Sequence, residues 1–290
     1  MKIVAIIQAR VDSIRLPNKV MKLVNETPII ELLIKRLNRS KQINKIIVAT
    51  SEKQTNKKLL NYVKELGFSC DTGDEEDVLA RYFHISKKHN ADVIVRITGD
   101  CPLIDASLVD KIIEKFKEKK VDYVSNTIFP TYPDGLDTEV FTFSSLERAY
   151  NETHKKHDRE HVTPYLKKSN FFNKYNFKNN EDFSHLRLTV DNTEDLKTIK
   201  KIFEYFSPNI YFSWIDVLNL YKKKPDIFTN LDIKRNEGEF MSKGQKLWQR
   251  AKRSISGGNM LLSKRPEMFL PEKWPTYFSK TKGCKVWDLD

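Results

Sequence analysis

The chain opens with a short, unbroken apolar run, Ile3 to Ile7, bounded by polar residues. That pattern fits a strand buried on both faces. A polar stretch leads to Pro28 and then to Ile29–Leu37, whose apolar positions recur at helical spacing. Strand and helix signals then alternate. Lys45 to Thr50 predicts a second strand, Asn56 to Leu66 a helix stopped by Gly67, and Phe68 to Cys70 a short third strand. Asp77 to His89 predicts a helix, Ala91 to Ile97 a fourth strand, Ser107 to Lys119 a helix and Asp122 to Asn126 a strand. After Asn126 the rhythm changes. Pro130, Pro133 and Gly135 punctuate a loop, and Thr138 to Phe143 reads as a strand of a different kind. A helix near Ser144 to Glu152, a strand over His185 to Val190 and a helix over Glu194 to Phe206 follow. The order predicts an α/β fold: a Rossmann-like, mixed, mostly parallel sheet sandwiched by helices. No internal repeat is present.

The loop after the first strand carries the most specific chemistry. In Ala9 to Lys19 stand three fixed cations, Arg10, Arg15 and Lys19, and the hydroxyl of Ser13. In an open α/β sheet, ligands bind beyond the C-terminal ends of the strands. Arginine forks and a lysine point charge there suit a polyphosphate, and no Walker P-loop motif is present. On charge alone the loop could equally be a solvated basic turn; its ordered spacing behind a buried strand favours the nucleotide. Asp100 lies just past the fourth strand in Gly99-Asp100-Cys101-Pro102, and Asp191 just past His185–Val190. Each could be a helix cap. Their shared position beside a basic loop instead predicts two carboxylates that hold Mg²⁺ against phosphates.

Composition narrows the setting. The 290 residues hold no apolar run long enough for a membrane span or a signal peptide. Cys70, Cys101 and Cys284 are scattered and form no Cys-x-x-Cys, which argues against zinc and disulfides and makes a reducing cytoplasm the simplest location. The net charge of +12 could suggest nucleic acid. Its lysines, however, are spread among acids on helices, so nucleic acid is not expected as a partner, and a charged small substrate accounts for the excess.

The run Ile7-Gln8-Ala9-Arg10 through Arg15-Leu16-Pro17-Asn18-Lys19 resembles the signature of cytidylyltransferases that activate acidic sugars, the acylneuraminate and 3-deoxy-manno-octulosonate enzymes, and most nearly the spore-coat polysaccharide type. Further stretches resemble that family in order: Ala49 to Ser51, Gly73 to Tyr82, Arg96 to Asp105, Tyr123 to Asn126, Tyr132 to Phe141, Arg159 to Tyr165 and His185 to Asp191. The resemblance covers roughly residues 1 to 230. It implies a nucleotide-diphospho-sugar transferase fold and a Mg²⁺-dependent reaction of CTP with an acidic acceptor, giving a CMP-linked glycan precursor and pyrophosphate. It also implies roles. Arg10, Ser13, Arg15 and Lys19 would hold the triphosphate, and Gln8 and Ala9 would approach the base. Ala49, Thr50 and Ser51 would line the nucleotide pocket. Asp100 and Asp191 would bind Mg²⁺. Arg10, Arg15, Lys19 and Asp100 would stabilise the transition state.

The acceptor side is less defined. Asp134, Asp137 and Glu139 could bind its hydroxyls or an amine, or form a polar hairpin. Arg159 and Arg187 are the cations expected near an acidic sugar's carboxylate, with Arg96 buried or pairing acids. His161 is the best histidine candidate for chemistry, although such a histidine is more often structural. In the segment Asp77 to Arg81 the acids are read as helix caps, with Arg81 facing the site. A phosphonate or phosphorylated small molecule remains an alternative acceptor. A glycosyltransferase is a different reading, but the chain lacks the Asp-x-Asp it would need after the central strand; a silent nucleotide-binding module is another.

Near Asn236 the composition shifts, placing a cytidylyltransferase domain over 1–235 and an extension over 236–290. A short helix, Phe240 to Lys252, is expected first. Ser254 to Met260, Phe269 to Pro271, Trp274-Pro275 and Gly283 to Asp290 then resemble the start of class III aminotransferases of the glutamate-1-semialdehyde type. The body that would supply a pyridoxal phosphate lysine is absent, so no such site is expected. The chain reads as a cytidylyltransferase cut from, or truncated before, an aminotransferase. Trp274, Tyr277, Phe278 and Trp287 are expected to pack on the first domain or on a second subunit, and a homodimer is the expected assembly.

Overall fold

A computed structural model describes residues 1–13, 15–233 and 235, and in the tail 247–248, 250–252, 255, 277–282 and 285–287. The chain divides into two units, Met1–Arg235 and Asn236–Asp290.

In the first unit β1 (Ile3–Gln8) is followed by a small hairpin, β2 (Leu23–Val24) and β3 (Thr27–Pro28), turned by Asn25 and Glu26, both at positive φ. Then come α1 (Ile29–Leu37), β4 (Lys45–Ser51), α2 (Lys57–Glu65), β5 (Ser69–Gly73), α3 (Val78–Lys88), β6 (Val93–Thr98) and α4 (Ala106–Lys119). The second half adds β7 (Tyr123–Ser125), β8 (Glu139–Thr142), α5 (Phe143–Glu152), α6 (Lys156–His161), α7 (Pro164–Lys168), β9 (Lys174–Asn176), α8 (Thr193–Phe206) and α9 (Trp214–Lys223). Seven strands form one sheet in the order β5-β4-β1-β6-β8-β7-β9. The first four are parallel, β8 runs antiparallel between β6 and β7, and β9 is parallel to β7.

The unbroken apolar run of β1 follows from its central place. Ile3, Ala5 and Ile7 face α1, α2 and α4, whereas Val4 and Ile6 face α3 and α5 on the opposite side. Alternate side chains serve opposite layers, so neither register can be polar. A third apolar cluster joins Leu16 of the basic loop to Leu188, Val190 and the inner faces of α8 and α9, and so fixes the loop beside the segment that carries Asp191.

His185–Val190 is not a strand. It makes one bridge, between Asp134 and Arg187; Leu188 N donates to Asp134 O at 2.6 Å and Val190 N to Asp100 O at 2.9 Å. The alternation of Leu186, Leu188 and Val190 reports burial, but the backbone facing it is an irregular turn that cannot extend a ladder. Gly135 makes the approach possible. Its φ is +103°, and a β-carbon there would lie 2.5 Å from the Leu188 carbonyl carbon.

In the second unit β10 (Lys280–Lys282) and β11 (Lys285–Trp287) pair antiparallel. Most of the expected Phe240–Lys252 helix lies outside the described residues, as do Ser254, 256–260, 261–276, 283–284 and 288–290; residues 247–248 and 250–251 are helical.

Candidate active site

The sequence of strand additions changes direction at β1: β4 and β5 lie on one side of it and β6 on the other. A doubly wound sheet opens its ligand crevice at such a switch point. Here the backbones converge tightly. Gly99 N donates to Gln8 O at 2.8 Å, and a β-carbon on Gly99 would sit 2.8 Å from that of Ala9. A cavity of about 400 Å³ opens above this junction. Gln8, Ala9 and Arg10 line it from β1, Thr98, Gly99 and Asp100 from β6, and Glu75, Val78 and Arg81 from the β5–α3 side. Lys19 enters from the basic loop, and Lys156, Glu160 and His161 form the wall contributed by α6.

The loop folds back on itself to deliver Lys19. Ala9 N is anchored to Ala49 O at 3.0 Å and Val11 N to Asn56 Oδ1 at 2.9 Å, while Asn18 N returns to Val11 O at 3.0 Å. Lys19 Nζ then bridges Asp100 Oδ2 at 2.6 Å and Asp191 Oδ1 at 2.8 Å. Burial alone would lower the Lys19 pKa, but the two carboxylates outweigh it and hold the ammonium above its ordinary value. Burial likewise works to raise Asp100; Lys19, and after it the Thr98 hydroxyl, bring it down to about 2. Neither carboxylate is a helix cap. Asp105 caps α4 and Asn192 caps α8, which leaves Asp100 and Asp191 to face the cation.

Asp191 also receives Arg15 Nη2 at 3.0 Å, and its other oxygen receives Arg187 Nη2 at 2.9 Å. Arg187, 2% exposed, donates further to Asp134 at 2.8 Å and to both oxygens of Asp195 at 2.8 and 3.0 Å. Burial opposes its charge, but the three carboxylates raise its pKa. Beyond it, Asp137 accepts from Arg235 Nη2 at 2.5 Å. Burial and the charge of Asp137 outweigh Arg235 and Arg187 at Asp134, lifting that carboxyl to about 7. Glu139 is enclosed by Arg96, the Tyr123 hydroxyl, Thr163 Oγ1 at 2.8 Å and Lys167 Nζ at 3.0 Å. Burial would raise it, but Lys167 and Arg96 hold it well below the usual carboxylate range.

The cytidylyltransferase family model matches residues 4–252. The chain belongs to the cytidylyltransferase family. A solved cytidylyltransferase from Leptospira borgpetersenii serovar Hardjo-bovis is similar over 79% of this chain and 98% of its own, with 35% identity and a TM-score of 0.77. The spore coat polysaccharide biosynthesis protein SpsF of Bacillus subtilis is 30% identical over 78% of this chain and 97% of its own length. A CMP:2-keto-3-deoxy-manno-octonic acid synthetase solved with CTP shares the fold at a TM-score of 0.56 and 16% identity, over 71% of this chain and all of its own. The chain is thus a nucleotidyltransferase by family, and the mostly parallel sheet with its helical layers is the fold of these neighbours. Among the described residues no helix is long and apolar enough to cross a membrane.

In this cytidylyltransferase the expected site residues separate by position. Gln8, Ala9, Arg10, Lys19, Asp100 and His161 line the cavity, with Arg15 and Asp191 joined to it through Lys19. Ala49 and Thr50 do not line it: both are fully buried in β4, and Ala49 contributes only the carbonyl that anchors Ala9. Ser51 is buried as well and donates to Glu75 at 2.6 Å, so it positions a cavity residue from behind. Ser13 turns inward to its own loop, where Leu16 N donates to its hydroxyl at 3.4 Å. Arg159 is withdrawn to the α3–α6 contact, on Asp77 at 2.7 Å and the carbonyls of Tyr150 and Thr153. Arg187 is enclosed by carboxylates, which removes it as a ligand for an acceptor's carboxylate. Asp134 and Glu139 are buried and Asp137 is half-buried, and each already meets cations of the chain: Asp134 pairs with Arg187, Asp137 with Arg235, and Glu139 with Arg96 and Lys167.

Several groups escaped the sequence reading. Arg36 is buried on α1 and donates to the carbonyls of Leu103, Ile104, Ile210 and Phe212, bracing the loop that follows Asp100. A charge inside an apolar helical stripe was the available signal. Val162 follows His161 at φ +71°, in a three-residue turn closed by Thr163 N to His161 O at 2.8 Å. A β-branched residue there is strained, and nothing in its sequence context announces it.

Proposed function

We propose that this cytidylyltransferase joins CMP from CTP to an acidic sugar or a similar small acceptor, releasing pyrophosphate, in the synthesis of surface-glycan precursors. One observation carries the reading: Lys19 lies between Asp100 and Asp191 at the edge of a nucleotide-sized cavity at the sheet's switch point. Arg10, Arg15 and Lys19 hold the triphosphate, and Lys19 stabilises the departing pyrophosphate. Gln8 and Ala9 present backbone to the base. The site holds the acceptor oxygen in line with the α-phosphorus.

Asp100 and Asp191 suit Mg²⁺. Both are carboxylates, and the Lys19 ammonium between them stands where a cation is stabilised. An ion held by these two carboxylates would take its remaining ligands from phosphates and water. When bound, Mg²⁺ would neutralise charge developing on the phosphate oxygens. All of these groups lie within residues 1–235, and residues 236–290 are an extension with no catalytic role in this reading.

CTP with Mg²⁺ is expected to raise the melting temperature by roughly 5–10 °C at about 100 times its Kd, from about 2.7 kcal/mol of linkage. ATP and GTP should shift it little. An equal shift with every triphosphate would remove the cytidine assignment.

A further inference from the structure

Asp100 and Asp191 are held by different means. Asp100 stands just past β6, whose ladder with β1 fixes the backbone beside it. Asp191 follows His185–Val190, which makes only an isolated bridge, so its direction has to come from side chains. The residue that supplies it is Asp195, fully buried in the first turn of α8. A capping box needs one acceptor from this position, for the Asn192 amide, and Asp195 Oδ2 takes that amide at 3.2 Å. The same oxygen also accepts from the Asp191 amide at 2.9 Å and from Arg187 Nη2 at 3.0 Å, while Oδ1 accepts from Arg187 Nε at 2.8 Å. This is more than capping a helix requires.

The consequence falls on Asp191. A two-point contact between a guanidinium and a carboxylate fixes the orientation of both groups. Arg187 Nη2, aligned in this way, is the donor that meets Asp191 Oδ2 at 2.9 Å. Asp195 thus grips Asp191 twice, at its amide directly and at its carboxylate through Arg187. The other oxygen, Asp191 Oδ1, turns to Lys19 at 2.8 Å and Arg15 at 3.0 Å, on the side of the basic loop. Asn230 closes the clamp from behind. It is fully buried, and its Nδ2 donates to Asp195 Oδ1 at 2.9 Å and to the Arg187 carbonyl at 3.1 Å.

We infer that Asp195 is a positioning residue: acting through Arg187, it holds the Asp191 carboxylate with Oδ1 turned toward Asp100, so that the pair can take Mg²⁺. The inference rests on the proposed Mg²⁺ role of Asp191. Groups that orient a metal-binding side chain from behind change metal affinity by about 10- to 100-fold when altered.

The test reads metal binding without turnover. The affinity of the full chain for CTP is measured by calorimetry with Mg²⁺ and with a chelator in its place, no acceptor being present. The ratio of the two affinities is the gain from the metal. Wild type is compared with Asp195→Asn and Asn192→Ala. Asp195→Asn keeps the shape and one acceptor oxygen but loses the charge that grips Arg187. Asn192→Ala removes the oxygen that accepts from Asp195 N at 3.0 Å and leaves the Asp195 carboxylate with its donors, so it carries the cost of a weakened cap alone. In Asp195→Asn the gain should fall by about tenfold or more. Its metal-free CTP affinity should stay within about threefold of wild type, because Arg10, Arg15 and Lys19 are kept. Asn192→Ala should melt at a lower temperature and keep the full gain. An unchanged gain in folded Asp195→Asn, or an equal loss in Asn192→Ala, would overturn the inference. Folding is checked first by circular dichroism and thermal melting. If Asp195→Asn does not fold, Asn230→Ala takes its place, since it loosens Asp195 without touching the cap or any charge. A gain reduced by about threefold or more then supports the assignment, and an unchanged gain contradicts it. If Mg²⁺ adds nothing to CTP binding by the wild-type chain, the metal reading falls and takes this inference with it. If the gain is present and survives the substitution, only the role of Asp195 is lost.

Discussion

Asp100→Asn is expected to lower turnover by at least about 100-fold while leaving the chain folded. Asparagine keeps the shape of the side chain. The Asp100 carbonyl, which accepts from Val190 N at 2.9 Å and Thr189 Oγ1 at 3.2 Å, is untouched. What disappears is one negative charge facing Lys19. With its pKa near 2, that charge is fully developed throughout the neutral range. Loss of a preorganised electrostatic group at a site of charge development costs turnover on this scale. Steady-state pyrophosphate release, measured beside a thermal melt of the same sample, separates the two effects. Near-normal turnover would reduce Asp100 to a structural partner of Lys19.

Lys19→Met is expected to destabilise the fold by about 2–3 kcal/mol at pH 7, with the loss shrinking at lower pH. Breaking a partly buried pair leaves a desolvated charge without its partner, and Lys19, Asp100 and Asp191 are each mostly buried. The sign follows from Asp100. In the native chain its folded pKa lies below the unfolded value, so its contribution is complete above about pH 4 and is lost as pH falls toward 2. Without Lys19, burial acts on Asp100 with its main cation gone, and the folded pKa rises. Folding of the variant then takes up a proton, and its stability improves as pH drops. Asp191 keeps Arg15 and Arg187. Urea melts at pH 7 and pH 4 measure the difference. Millimolar Mg²⁺ should recover more of the loss in the variant than it adds to the native chain, since the same carboxylates are then open to it. A deficit that is equal at both pH values and indifferent to Mg²⁺ would contradict this account of the three residues.

The parallel half of the sheet was legible because each of its strands is buried in layers that demand a distinct period. Ile29–Leu37 occurs as expected, and Lys45–Thr50 extends by one residue to Ser51. The strand of a different kind near Thr138 is β8, which runs against its neighbours. His185–Val190 misled because alternation records which side chains are buried, whereas a strand also needs a regular partner, and Gly135 offers only a turn. The short α6, α7 and β9 and the longer α9 were not resolved from the sequence.

At the site, spacing within one loop and position beyond a strand located Arg10, Lys19 and Asp100. Which cations are already spent could not be read the same way. Arg187 carries the same charge in the sequence whether it meets a ligand or three carboxylates. Its partners Asp191 and Asp195 lie four and eight residues further on, past an irregular segment, and Asp134 comes from a distant loop, so only the fold brings all three onto one guanidinium.

The central claim is transfer of the α-phosphoryl group with its nucleoside. CTP labelled at the α-phosphate, incubated with the full chain, Mg²⁺ and a panel of acidic sugars and phosphonates, tests it most directly. Label is expected to enter an acceptor-linked CMP product, with one unlabelled pyrophosphate for each product formed. Label retained in CDP with the γ-phosphate on the acceptor, or labelled CMP released with no acceptor dependence, would contradict it.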